Sequence, residues 1–368
     1  MVVQPVNDTL PKQEFWSGKR VLLTGHTGFK GAWLVLWLRR LGAEVVGVAL
    51  KPETAPNLFD AASVADHISE NHFCDIRDVG ALTEIVRNSR PEVVFHLAAQ
   101  SLVLTGYEKP LETFDTNVIG TANLLEAVRS SETVRSIVAI TTDKVYENNE
   151  TAELFSETDR LGGRDPYSAS KAASELVISC YRSSFLSQRG IAIASARAGN
   201  VIGGGDWADN RLIPDAVRAW ESDTPLSIRS PNAIRPWQHV LEPLAAYLRL
   251  AQRIHEEPEL ADSYNFGPEP QEAATVREVI SFAQSAFGRG DTTWGEVSED
   301  NYEAKWLALE TAKAQQLLGI VPRWPLAKGI EQTMAWYRNF LDDGDAYELC
   351  ARDIEAFEKC VPNKERTS

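Results

Sequence analysis

Tyr167 and Lys171 stand four residues apart in Tyr167-Ser168-Ala169-Ser170-Lys171, and these two side chains are the best equipped in the chain for proton chemistry. One helical turn separates them, so a phenol and an ammonium share a face and can reach a common ligand. A free tyrosine titrates at about 10, and a neighbouring cation is what brings its phenolate within reach of neutral pH. Upstream, Thr142, Asp143 and Lys144 follow one another at the end of an apolar run. A carboxylic acid at that place can protonate a departing hydroxyl. An amine beside it works as a base only where burial or nearby positive charge weakens its hold on the proton.

A second constellation serves phosphate. Thr24-Gly25-His26-Thr27-Gly28-Phe29-Lys30-Gly31 lies between a strand-like run and a helix-like one. Gly25 permits a tight turn, Gly28 lets backbone approach a pyrophosphate, and Gly31 lets helix and strand pack closely. The free N–H groups and the helix dipole then face the anion. This assigns Gly25, Thr27, Gly28, Phe29, Lys30 and Gly31 to a dinucleotide. An acidic residue about 20 positions further on, which would hold the ribose 2′-hydroxyl of NAD, is missing. Lys51 stands there instead, with Glu53 just beyond. The residues therefore favour a nicotinamide dinucleotide and leave NADP open beside NAD.

The elements that must position these groups alternate. Residues 20–24, 44–50, 92–97, 135–141 and 190–197 read as strands, and 30–41, 79–88, 117–130 and 167–187 as helices between them. That alternation predicts right-handed βαβ units and an α/β fold, a Rossmann-type doubly wound parallel sheet. The segment Ala32-Trp33-Leu34-Val35-Leu36-Trp37-Leu38 is apolar nearly all round, as a helix packed tightly on a sheet must be. After Asn200 the rhythm changes to loops and prolines. We read 15–199 as the dinucleotide-binding domain and 200–345 as mainly a smaller, mixed substrate lobe with some segments returning to the first domain. Residues 346–368 read as a C-terminal tail.

The glycine spacing, together with the Tyr-x-x-x-Lys pair, resembles the extended short-chain dehydrogenase/reductase family. Three further segments match it in order: Asp75-Ile76-Arg77, His96-Leu97-Ala98-Ala99-Gln100 and Thr116-Asn117-Val118-Ile119-Gly120-Thr121. The resemblance implies cofactor contacts from Asp75, Ile76, Leu97, Ala98, Ala99, Gln100 and Asn117, besides Tyr167 and Lys171. It also implies that the Thr142 hydroxyl hydrogen-bonds the reacting sugar hydroxyl. Within the family, the nucleotide-sugar 4,6-dehydratases acting on CDP-glucose are the most similar. The segments that carry this are Asp143-Lys144-Val145-Tyr146-Glu147-Asn148, Leu161-Gly162-Gly163-Arg164-Asp165-Pro166-Tyr167-Ser168, Ala196-Arg197-Ala198-Gly199-Asn200-Val201-Ile202-Gly203-Gly204-Gly205-Asp206-Trp207, Arg211-Leu212-Ile213-Pro214-Asp215 and Arg235-Pro236-Trp237-Gln238-His239-Val240-Leu241-Glu242-Pro243. By resemblance, Thr142, Asp143, Lys144, Tyr167 and Lys171 are catalytic. Asn200, Arg211, Leu212, Arg235 and His239 hold the sugar and its pyrophosphate, for which guanidinium forks are suited.

The chain departs from that pattern at Leu104 and Gly106, where the family carries Arg and Ser, and at Thr151-Ala152-Glu153-Leu154-Phe155-Ser156, where it carries an aromatic-rich stretch. Both bear on the base and the sugar. A 4-epimerase or reductase would need no Asp143, and a non-catalytic NAD-binding protein would need neither Tyr167 nor Lys171. The resemblance also implies that the helices around 117–130 and 167–187 pair with those of a second copy in a homodimer.

Bulk properties narrow the partners. The formal charge of −15 argues against nucleic acid, which wants a basic face. Four cysteines without a CxxC pair argue against a zinc site and for reduced thiols, so no metal is expected. The apolar stretch from 32 to 50 is broken by Arg39 and Arg40, too early to span a bilayer, and the first fourteen residues carry no signal-peptide core. The expected location is the cytoplasm, with no membrane contact.

Overall fold

The computed structural model describes residues 10–149, 153–295 and 306–361. Seven parallel strands make the central sheet: β1 (Arg20–Thr24), β2 (Glu44–Ala49), β3 (Glu70–Phe73), β4 (Val93–His96), β5 (Ser136–Ile140), β6 (Ala192–Arg197) and β7 (Ser263–Asn265), in the order β7-β6-β5-β4-β1-β2-β3. The order reverses between β1 and β4, which opens a crevice at their carboxyl ends. β1, β4, β5 and β6 are almost wholly buried, because helices cover both faces of the sheet. The doubly wound α/β expectation holds.

Five of the strands fall where the apolar runs place them. β3 is a polar edge strand, Glu-Asn-His-Phe, with alternating burial. β7 comes from the second half of the chain and pairs with β6 through Ser263↔Ser195 and Asn265↔Arg197. The remaining strands form three two-stranded pairs in that second half, such as Leu226–Ile228 with Thr292–Trp294.

Helices α1 (Phe29–Arg40), α2 (Val79–Ser89), α3 (Gly120–Arg129), α4 (Pro166–Tyr181), α5 (Leu212–Glu221), α6 (Leu241–Glu256), α7 (Leu326–Leu341) and α8 (Ala346–Lys359) cover the sheet and build the smaller lobe. α3 continues N-terminally through a π-helical turn at Asp115–Ile119 into Pro110–Phe114, so that helix starts before the predicted 117. α4 starts at Pro166, with Asp165 capping it by accepting from the Ser168 N–H.

α1 is apolar all round for a reason beyond the sheet. Its outer side is covered by α8: Trp37 meets Phe357 edge to face at 5.7 Å, Trp37 Nε1 donates to Glu358 at 2.9 Å, and Arg40 pairs with the same carboxylate at 3.0 Å. Residues 346–359 are therefore a docked helix and not a tail. Asp345 caps its start, and the Arg323 guanidinium donates to the carbonyls of Phe357, Glu358 and Cys360 at its end. Leu349, Cys350, Ile354 and Phe357 form its buried stripe.

Candidate active site

The carboxyl ends of the strands open into a cleft of about 1820 Å³. Ligand pockets for one small molecule run to roughly 300–1,000 Å³, so the cleft has room for two ligands side by side. One wall is the glycine turn. Gly25 has φ +80°, and a Cβ on it would lie 2.7 Å from the Ala98 N–H nitrogen, while one on Gly31 would lie 2.0 Å from the Gly25 carbonyl oxygen. Turn, β4 end and α1 are thus in backbone contact. α1 begins at the cleft with Gly28 as N-cap, which offers no side chain to its first N–H groups. These residues fit a dinucleotide pyrophosphate.

The flanking cofactor residues are mostly where expected. Thr27, Phe29, Lys30, Asp75, Ile76, Leu97, Ala98, Ala99 and Gln100 all line the cleft. Asp75 is gripped by Arg77 through Nε at 3.0 Å and Nη2 at 2.6 Å. Lys51 also lines the rim, its ammonium 5.8 Å from the Phe73 ring. Asn117 lies off the cleft wall: its amide accepts from the Gln100 N–H and donates to the Gln100 carbonyl and to Ser170, stitching α3 to the β4 loop and to α4. It holds the wall in place and does not form it.

The catalytic set converges at the end of β5. The Thr142 hydroxyl donates to Asp143 Oδ1 at 3.0 Å, and Asp143 itself is 1% exposed. Burial pushes the Asp143 acid up from the ordinary aspartate range, with the charges of Lys144 and Arg235 and the Thr142 hydrogen bond opposing it. Its Oδ2 has no hydrogen-bond partner among the described residues. Gly199 is the reason the carboxyl fits, since a Cβ there would come within 2.0 Å of that oxygen. Lys144 lines the cleft beside it.

Tyr167 lines the same cleft, and burial pushes its phenol up to about 12, helped by the Asp143 charge and opposed by the Thr142 hydrogen bond and by Arg211. Lys171, one turn further along α4, is tied to the end of β5. Its Nζ turns back to donate to the Ile140 carbonyl at 2.9 Å, and burial together with the charge on Lys30 pulls it down to about 8. Arg211 is the guanidinium whose field reaches the phenol.

Of the residues expected on the substrate, Asn200, Arg211, Leu212 and Arg235 line the cleft. Asn200 adopts φ +46° and its Oδ1 has no partner among the described residues. Arg211 bridges Asp206 at 2.9 Å and Ser101 at 3.1 Å, across the mouth of the site. His239 is elsewhere: it is 2% exposed, packed against Trp33 and Trp324, and its Nδ1 accepts from the Leu241 N–H. Burial drops it to about 3, so it is a neutral core histidine and not a substrate contact. The Gln238–His239 strand pairs with Val201–Ile202, and its histidine is buried among aromatic rings off the cleft wall.

Leu104 faces the cleft, and Gly106 lets its helix approach Tyr167, where a Cβ would meet the backbone nitrogen at 3.3 Å. Phe155 stacks on Tyr146 at 5.0 Å, below the cleft rather than in it. Thr151 and Ala152 lie outside the described residues.

One supporting cluster was not singled out by its spacing. Glu175, one turn beyond Lys171, accepts from Thr141 at 2.6 Å, Ser195 at 2.7 Å and both Arg197 Nε and Nη2 at 3.0 and 2.9 Å. Arg197 Nη1 donates to the Tyr146 hydroxyl, which donates to Asn265 at 2.6 Å. The repeated one-turn step Tyr167, Lys171, Glu175 was the available signal for it.

Comparison with known proteins agrees with this geometry. The family described as GDP-mannose 4,6 dehydratase matches residues 22–333. The chain belongs to that family of nucleotide-sugar 4,6-dehydratases. It is 44% identical over 352 residues to the CDP-glucose 4,6-dehydratase of Salmonella typhimurium, covering 94% of this chain and 98% of the relative. It is 28% identical over 335 residues to a dTDP-glucose 4,6-dehydratase of Xanthomonas campestris pv. campestris, covering 86% and 92%. Among solved structures, MoeE5 in complex with UDP-glucuronic acid and NAD superposes with a TM-score of 0.74 at 25% identity, over 87% of this chain and 99% of that one. Among the described residues of this dehydratase, no helix is long and apolar enough to cross a membrane.

Proposed function

We propose that this dehydratase converts CDP-glucose to CDP-4-keto-6-deoxyglucose with NAD as its resident cofactor. The observation that carries the reading is the buried acid Asp143, hydrogen-bonded to Thr142 and followed by Lys144, on the cleft that also holds Tyr167. The glycine turn and the residues from Leu97 to Gln100 would hold the dinucleotide. That group supplies reversible two-electron redox chemistry at C4 of the sugar. Tyr167 takes the proton of the C4 hydroxyl, which Thr142 orients. A ketone at C4 acidifies the C5 proton, and Lys144, which lines the cleft beside Asp143, is the base of this reading. Asp143, whose hold on a proton burial strengthens, gives that proton to the C6 hydroxyl as it leaves as water. Electrons removed at C4 are returned at C6, C5 takes its proton back from Lys144, and the proton held by Tyr167 makes good the one Asp143 gave, so the overall change is loss of one water. Arg211 and Arg235 take the diphosphate.

The substrate test is direct. Incubation with CDP-, dTDP-, UDP- and GDP-glucose, read by mass, is expected to show loss of one water from CDP-glucose first. Loss from another nucleotide sugar at higher kcat/KM would reassign the base, and an epimer of unchanged mass would overturn the dehydratase reading.

A homodimer and a cytoplasmic location belong to the same proposal. The helices α3 and α4 pack on each other and, with the turns adjoining them, leave Leu111 85% exposed, Leu176 63% exposed, and Phe114, Ile119 and Phe185 open to solvent. A patch of this kind on two adjacent helices suits an isologous interface with a second copy. Light scattering at micromolar protein is expected to give at least twice the chain mass, and Leu176→Asp to give a monomer. A parent protein already monomeric under these conditions would contradict the assembly. The cysteines, unpaired among the described residues, suit a reducing compartment.

A further inference from the structure

A carboxylate beside a diphosphate site repels the anion the site is to bind, so an acid kept there serves something else. Asp206 is such an acid. It lines the cleft together with Arg211 and is 3% exposed. Its Oδ2 accepts from Arg211 Nη1 at 2.9 Å, and its Oδ1 from the Ala208 N–H at 3.2 Å. The loop that joins the two residues is fixed from outside. On α7 the buried Tyr337 hydroxyl donates to the Asp206 carbonyl, and the Tyr337 ring meets Trp207 edge to face at 5.2 Å. On α5 the Arg218 guanidinium donates to the Trp207 carbonyl at 3.0 Å and to the Ala208 carbonyl at 3.3 Å. Asn210 turns the chain through the left-handed region, φ +60°, just before Arg211. The other side of the guanidinium is held less firmly. Its Nη2 donates at 3.1 Å to the hydroxyl of Ser101, an exposed residue on the loop after β4. Arg211 therefore has an ionic hold on one side and a neutral hydroxyl on the other. The steps above give Arg211 the diphosphate and assign nothing to Asp206.

We propose that Asp206 is a positioning residue for the substrate: it anchors Arg211 Nη1, so that Nη2 faces the diphosphate of the nucleotide sugar, which takes the place of the Ser101 hydroxyl. The inference rests on the dehydratase reading, in which a sugar diphosphate occupies this cleft. An arginine free to turn loses rotamer freedom when an anion fixes it, whereas one already held by an ion pair lost that freedom on folding. Asp206 has two opposed effects. Its charge subtracts from the pull on the diphosphate, and its anchoring adds to it. The Arg211 side chain is 34% exposed, so water screens the charge effect and leaves the geometric one intact. Anchoring wins, and its loss weakens binding even though the cleft becomes more positive.

Asp206→Asn tests this, with initial rates on CDP-glucose and calorimetric titration with CDP, which carries the diphosphate and cannot react. The amide keeps the shape but presents an oxygen to only one of its two donors. KM for CDP-glucose and Kd for CDP are expected to rise together by on the order of tenfold. The variant's kcat should stay within about twofold of the parent's, because at saturation the bound diphosphate itself holds Arg211. In an Arg211→Met background, Asp206→Asn should change neither constant further, a coupling that a merely structural role would not produce. Tyr337→Phe, which loosens the same loop without touching the carboxylate, should raise KM in the same direction and by less. It carries the test alone if Asp206→Asn does not fold, and a parental KM there would then sink the inference. Three results with Asp206→Asn overturn it: a parental or lowered KM, a fall in kcat as large as the rise in KM, or an undiminished effect in the Arg211→Met background. A parent protein that does not remove water from CDP-glucose overturns the functional reading. One that does so while Asp206→Asn keeps the parental KM overturns only the role of Asp206.

Discussion

Asp143→Asn is expected to slow elimination by about 10²–10⁴-fold while leaving oxidation at C4 intact, because it removes a general acid and preserves its shape. Given substrate, the variant should accumulate the absorbance of bound reduced nicotinamide, since Tyr167 still takes the C4 proton. Tyr167→Phe should show neither the absorbance nor product. The two variants together separate the half-reactions, which a generally damaged site would not. Gly199→Ala supplies an independent check. Its Cβ would fall 2.0 Å from Asp143 Oδ2, so the carboxyl must move, and elimination should again be lost before oxidation. An Asp143→Asn protein that turned over at the parental rate would make Asp143 a bystander and remove the main support for the assigned chemistry.

The largest stability effect is expected at Arg197. Its ion pair with Glu175 is 2.9 Å long, with the two side chains 4% and 2% exposed. Arg197→Met leaves the Glu175 carboxylate buried and uncompensated, a change that costs about 3–5 kcal/mol. The shift is read as a lowered denaturation midpoint. Replacing both partners, Glu175→Leu with Arg197→Met, should recover much of the loss, because no charge is then stranded. If the double variant is as unstable as the single one, the penalty comes from packing and not from charge. The pair also sets an acid limit. Burial pushes Glu175 up, yet hydrogen bonds from Arg197, Thr141 and Ser195 outweigh it and hold the carboxyl below the ordinary glutamate value of 4.5. A depressed acid contributes stability that is present above the unfolded value and lost as pH falls through the folded one. Arg197→Met should therefore be less sensitive to acid than the parent over that range.

How far the chain could be read depended on what each residue faces. Strands buried on both sides, β1, β4, β5 and β6, are continuous apolar runs and so were legible. β3 and β7 sit at the two edges of the sheet, are short, and carry polar residues, so periodicity offered nothing to find. The glycine turn was legible because backbone contact allows no substitute for Gly25 or Gly31. His239 misled because a motif fixes a position in the chain and not the side of the strand its ring occupies. The spacing of Tyr167 and Lys171 correctly put them on one helix face, but it could not show that Lys171 bonds the Ile140 carbonyl. The last helix reads as a tail in sequence because its buried stripe has no strand beside it.

The strand β7 also imposes an order on synthesis. β6 and the ion pair beneath the active site are finished only by residues far along the chain: Ser263 donates to Glu175, and Asn265 accepts from Tyr146. A nascent chain that has emerged through Arg197 carries every residue of the proton-transfer set, yet it displays an unpaired sheet edge and an incompletely satisfied buried charge pair. Until Asn265 leaves the ribosome, the half-built sheet is a template for pairing with other chains. The contacts that complete it span most of a hundred residues or more, which makes closure of this edge a late and slow event in folding.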